Sequence, residues 1–224
     1  MPDASASQHH GSCLCEGVRL GMILVAVLGA LSGCASTTTD VTGQALQAPL
    51  CGSASAPAPA SMAVAVLWGP SWRPDQKEPP LREAAALQGI QQFFATQRCL
   101  TDVAIQRITI PAQNARLSDA ALLDMAKALA PHADKVVLIV VRELGPKLRI
   151  GLPTLVEGGT EVVVDVRVVG AQHQVLPAQA QFLAQVHWQK GGPFYVKGVK
   201  SLDQDMQAAL ASVFVAPFAT SHPP

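Results

Sequence analysis

Cys34 closes the run Leu31-Ser32-Gly33-Cys34, where an apolar stretch beginning at Leu20 gives way to Ala35-Ser36-Thr37-Thr38. A cysteine thiolate is a strong nucleophile, and small residues before it leave an extended backbone open to approach. The spacing marks Cys34 as a candidate nucleophile at the border between an apolar and a polar run. A second group of chemistry-bearing residues is Trp68, Trp72 and Arg73, with Arg142 and Glu143 further along. Tryptophan and arginine are enriched at binding hot spots, so these five residues are the candidates for contact with a partner. The blander alternative is that Trp68 is core, Trp72 covers a strand end, and Arg142 and Glu143 pair with each other. Cys51 and Cys99 form the third group. In an oxidising compartment two such thiols are candidates for a disulfide, two unpaired thiols being the alternative.

Other chemistry finds no support. The chain has no G-x-S-x-G, since Gly69-Pro70-Ser71-Trp72-Arg73 fails at its last position, and it has no H-E-x-x-H, C-x-x-C or phosphate-cradling glycine loop. His132, His173, His187 and His222 lack ligand spacing, so no metal is expected, and no cofactor. His187 falls on the polar side of an alternating segment and reads as a solvated side chain. Asp203 and Asp205 fall in the first turn of a helix, where they meet its positive end, and are read that way rather than as an acid–base pair. These absences point away from an enzyme. Sixteen basic and sixteen acidic residues give a formal net charge of zero. With no basic patch or charge run, nucleic-acid binding is not expected.

The run from Leu20 to Leu31 is too short to span a membrane, which takes roughly 20 apolar residues, but has the length of a secretory signal core, with Arg19 as its basic flank. Ending in Leu-Ser-Gly-Cys, it resembles a bacterial lipoprotein signal. That resemblance implies diacylglycerol on Cys34, removal of residues 1–33, and a mature chain held to a membrane. Residues 1–17 fit poorly, with Asp3, Glu16 and two histidines ahead of Arg19 and no lysine or arginine, so translation is expected to start at Val18. Where a cell has two membranes, Ala35 at the second mature position fits the usual lipoprotein-sorting pattern for the outer membrane, facing the periplasm. Residues 34–61 are rich in Ser, Thr, Ala, Gly and Pro and read as a lipidated tether that holds the domain away from the lipid.

The elements that must position these groups lie in residues 62–216. Residues 62–68 are an apolar run closed by Gly69-Pro70 and read as a buried strand. Pro79-Pro80 opens a helix whose apolar stripe is Leu81, Ala84, Leu87, Ile90 and Phe94. Residues 103–111 read as a second strand. Ser118 caps the next helix, with Leu122, Met125, Ala126 and Leu129 facing inward. Residues 135–144 are apolar on both faces, the pattern of a central strand, and Gly145-Pro146 is expected to turn the chain there. Val162, Val164, Val166 and Val168 alternate with charged residues, as Phe182, Ala184, Val186 and Trp188 alternate with Gln181, Gln185 and His187. Period two places one face on a core and the other in water. Gly158-Gly159 is read as a turn before the first of these strands. A last helix, about 201–215, presents Leu202, Met206, Leu210 and Val213, and residues 217–224 read as a frayed tail.

The expected fold is α+β, of α/β type: a single mixed sheet in the order β-α-β-α-β-β-β-α, with helices packed on it. In such a fold Cys99 ends the first helix near the foot of the first strand, and Cys51 is within reach along an extended chain. The opening Val64-Ala65-Val66-Leu67, residues 131–141 after a helix, the alternating 161–169, a return strand ending at Trp188 and a final amphipathic helix together resemble the periplasmic domain of curli-secretion-type lipoproteins, the TolB amino-terminal domain and related exopolysaccharide-export lipoproteins. The likeness implies fold and compartment, and is compatible with a homo-oligomeric ring. No extra pair of long alternating segments is evident that would build a membrane barrel. The expected function is a non-catalytic, membrane-anchored lipoprotein of the cell envelope, serving as a protein-interaction or accessory subunit in envelope assembly or export. The alternative is a lipoprotein that binds a small ligand at the same sheet edge.

Overall fold

The computed structural model describes residues 35–44, 50, 61–111, 117–151, 155–171, 180–193 and 198–214. The chain divides into Met1–Cys34 and Ala35–Pro224, and every described residue belongs to the second unit. The leader, Cys34, Cys51, most of residues 45–60 and the tail 217–224 lie outside the described residues.

The elements are β1 (Ser36–Gln44), β2 (Met62–Pro70), α1 (Pro79–Ala95), β3 (Leu100–Arg107), α2 (Asp119–Leu129), β4 (Lys135–Gly151), β5 (Leu155–Gly170), β6 (Ala180–Pro193) and α3 (Leu202–Phe214). They build one six-stranded mixed sheet in the order β1-β6-β5-β4-β2-β3. β2 runs parallel to β3 and β4, while β4, β5, β6 and β1 are antiparallel neighbours. From β2 onward the order of elements is the expected one. β3 lies on one side of β2 and β4 on the other, so two crossovers of one hand place α1 and α2 on opposite faces.

The core follows from that placement. On one face α1 and α3 cover Val66, Trp68, Ile139, Val141, Val164, Val166 and Val186. On the other α2 lays Leu122 and Ala126 on Ala65, Leu67, Val136, Leu138 and Val140. β4 is therefore apolar on both faces because helices cover both, whereas β5 alternates because α2 does not extend across it. Phe93 meets Phe94 edge-on at 5.1 Å and stacks on Phe214 at 5.5 Å, joining α1 to α3. Gly89 permits that approach, since a Cβ there would strike the backbone of Asp203 and the side chain of Met206. Ser118 accepts from the Ala121 amide at 3.2 Å, capping α2 as its sequence implies.

Four local expectations are corrected. Ser36–Gln44, read as tether, is a strand paired along its full length with β6. Thr37, Thr38, Thr39, Val41 and Thr42 are β-branched, and that stiffness favours a pleated strand over a coil. Second, the buried stripe of α1 is Arg82, Ala86, Gly89, Ile90, Phe93 and Phe94, with Leu81 and Ala84 exposed, because α3 packs beside α1 and sets its rotation. Third, Gly145-Pro146 does not turn the chain, since β4 runs on to Gly151. β2 ends at Pro70, opposite Val141, so β4 has only β5 beside it beyond that point, and a residue lacking an N–H is tolerated there. Finally, Gly158 and Gly159 lie inside β5, opposite Leu148 and Lys147, and make no turn.

Candidate functional site

The carboxyl end of β2, the loop after it and residues Glu143 to Lys147 within β4 build an open cleft. The loop is held to the sheet by the Ser71 amide, which donates to the Val141 carbonyl at 2.8 Å, and is closed on itself by Gln76 N to Arg73 O at 3.0 Å. Arg73 and Glu143, two of the five residues expected at this edge, meet, Arg73 Nε lying 2.5 Å from Glu143 Oε1 with Arg73 64% exposed and Glu143 18%. Asp75 is 3.8 Å from the same guanidinium. With its amide set to satisfy its neighbours, Gln76 donates to Glu143 Oε2 at 3.1 Å and accepts from Arg82 Nε at 3.0 Å. The cleft holds about 310 Å³ and includes Lys77, Lys147 and Glu161 in its lining.

Arg82 forms its floor. Only 7% exposed, it donates to the Lys77 carbonyl at 2.6 Å and to the Leu144 carbonyl. Its guanidinium fills the space above Gly145, where any Cβ would collide with it. A second buried polar link lies nearby. Thr160 Oγ1 donates to Asp205 at 2.9 Å and contacts the Gly145 carbonyl at 3.3 Å. Asp205 is 3% exposed, so it is more than a dipole partner at the head of α3. Burial raises the Glu143 pKa. The Arg73 and Arg82 cations oppose that shift, while the Glu161 and Asp75 carboxylates add to it.

The other anticipated residues disperse. Trp68 is 1% exposed in the core, and Trp72 packs against the same core. Both indole N–H groups are buried without a hydrogen-bond partner. Arg142 turns away from Glu143 and grips Asp165 through Nε at 2.6 Å and Nη2 at 2.5 Å. A register shift between Val141 and Glu143 leaves Arg142 as the extra residue, and such a bulge re-aims a side chain. His187 is half-buried, 3.5 Å from Glu161 and within 2.5 Å of the Gln189 amide. Cys99 is disulfide-bonded, and its carbonyl accepts from the Met62 amide at 3.1 Å, at the foot of β2. Among the described residues no cluster of His, Cys, Asp and Glu could hold a metal ion, and no helix is long and apolar enough to cross a membrane.

Sequence reasoning missed Lys147, Glu161, Arg82 and Gln76. The first two were hidden by ending β4 at Gly145. Arg82 carries a signal, because it stands four residues before Ala86 and eight before Ile90, on the buried stripe.

Fold and site together define an α+β protein with a mixed six-stranded sheet and a charged cleft at its parallel end. No family model matches the chain, and no curated protein does. The PelC dodecamer from Paraburkholderia phytofirmans is similar in structure at 14% identity and a TM-score of 0.38, the match covering 80% of this chain and 94% of that one. Protein XCC0632 from Xanthomonas campestris, of the DUF330 family, matches at 13% identity and a TM-score of 0.35, over 75% of this chain and 88% of its own. The hypothetical protein CT253 from Chlamydia trachomatis matches at 14% and 0.31, over 55% of this chain and 69% of its own.

Proposed function

We propose that the protein is a non-catalytic lipoprotein of the cell envelope, acylated at Cys34 in the outer membrane and facing the periplasm. It offers the cleft at the parallel end of its sheet to a protein partner in envelope assembly or export. The observation that carries the reading is the pair of Arg73 and Glu143: an exposed guanidinium held over a largely covered carboxylate, at the mouth of a cleft lined by charge. A charge pair at a surface rim steers and registers a protein partner. Small-molecule pockets hold roughly 300–1,000 Å³ and are mostly apolar. The cleft reaches that size but lacks that lining, so binding of a small ligand there is the second reading. Self-association through the open edges of β1 and β3 belongs to the same proposal, as does pairing of Cys99 with Cys51, which non-reducing peptide mapping checks directly.

The test replaces the 64% exposed Arg73 with Ala, leaving the core-packed Trp72 in place, and compares stability with co-purification from cells. Loss of a stoichiometric partner with an unchanged melting temperature is expected. Retention at parental yield would exclude the cleft, and a bound small molecule in place of a protein would favour the second reading.

A further inference from the structure

A tether that begins at Cys34 would let the domain stand off the membrane, but β1 removes that freedom. Ser36 is in register with Gly191 of β6, and only Ala35 separates it from Cys34. Two extended residues reach about 7 Å. A lipid on Cys34 would be confined by that chain length to the neighbourhood of the strand's first residue.

Which residues share that end follows from register. Ser36 pairs with Gly191, Gly192 with Gly158, and Gly158 with Leu148. Leu148 therefore lies three strands across from the start of β1, roughly 14 Å at the usual strand spacing. It sits on the arm of β4 that runs beyond β2, and at 62% exposure it is the most open large apolar side chain described. Lys190 lines the same shallow hollow as Ser36 and Gly158, placing a cation where anionic headgroups attract it. Leu183, 40% exposed, is opposite Gln44 at the far end of β1, roughly 27 Å from Ser36 along the strand.

We propose that this end of the sheet, from the start of β1 to the outer arms of β4, β5 and β6, is a membrane-contacting surface, seated on the bilayer that holds the acylated Cys34, with Leu148 entering the interface. The proposal rests on lipidation of Cys34. It goes further by fixing the orientation of the domain: the foot of β2, with Cys99, points away from the membrane.

Photoreactive benzoylphenylalanine placed at Leu148, and separately at Leu183, in the full-length chain in intact cells tests it. After irradiation, mass spectrometry of the purified protein reads both the acyl group on Cys34 and any lipid adduct at the probe. With Cys34 acylated, a lipid adduct at Leu148 several-fold above that at Leu183 is expected. Acylated Cys34 with equal adducts at the two positions, or with none at either, overturns the seated orientation and leaves the anchor intact. A Cys34 free of lipid in the same spectra removes the anchor itself, and with it the proposal.

Discussion

Strand β4 contains two regions of opposite character. From Val136 to Val141 it is flanked by β2 and β5, covered by helices on both faces, and buried. From Glu143 to Gly151 it has β5 alone beside it; Leu144 still enters the core, but Glu143 and Lys147 line the cleft and Leu148 stands in the open. The bulge at Arg142 marks the change. Burial on both faces fixes the fold, and the arm beyond it, which gives only Leu144 to the core, carries the charge. The difference shows that one strand can serve as scaffold and as site, with the boundary set by where its neighbour stops.

The largest expected effect lies in the covered region. Ile139→Ala, which empties space between β4 and α1, should destabilise the protein by about 2–5 kcal/mol in denaturant unfolding. Were the loss no greater than for a surface change, the packed half would not be the scaffold. Next, Asp205→Ala, at the buried link between α3 and Thr160, should cost about 1–3 kcal/mol because the Thr160 hydroxyl loses its acceptor. Arg142→Ala, at the bulge, removes a half-exposed ion pair with Asp165 and should cost only about 0.2–1 kcal/mol. A larger loss would move Arg142 into the scaffold class. Leu148→Ala, far out on the arm, should leave stability within about 0.5 kcal/mol.

Titration sharpens the contrast. The Glu143 pKa is raised in the folded state, first by burial, so the native protein binds its proton more tightly than the unfolded chain. Stability from this group is present below the ordinary glutamate value of 4.5 and falls as the pH rises through the folded value. Glu143→Gln should flatten that part of the stability–pH curve, and an unaltered curve would assign the slope to another group.

Much of this contrast is legible in the sequence and part of it is not. Two-faced apolarity in residues 135–141 and alternation in residues 161–169 are direct records of helix cover, so the mixed sheet and the order of its elements from β2 onward can be read. The end of β4 cannot. Gly145-Pro146 has turn chemistry, and only knowledge that β2 stops opposite Val141 explains why the strand passes through it. That single missing fact hides Lys147 and Glu161 from the site. β1 was obscured for another reason: its serines and threonines match a linker in composition, though its β-branched run matches a strand. Arg73 and Glu143 were among five residues expected at one sheet edge, Arg73 from the loop after β2 and Glu143 from within β4, and these two meet. Arg142 was misplaced because a one-residue bulge reverses direction without leaving a mark in the sequence.

The account stands on the sulfur of Cys34. Metabolic labelling with a palmitate analogue, followed by membrane fractionation of the parent and of Cys34→Ser, is its most direct test. The prediction is label in the parent that remains with the membrane, and an unlabelled variant that moves out of the membrane fraction. An unlabelled parent, or a variant that fractionates as the parent does, contradicts the account.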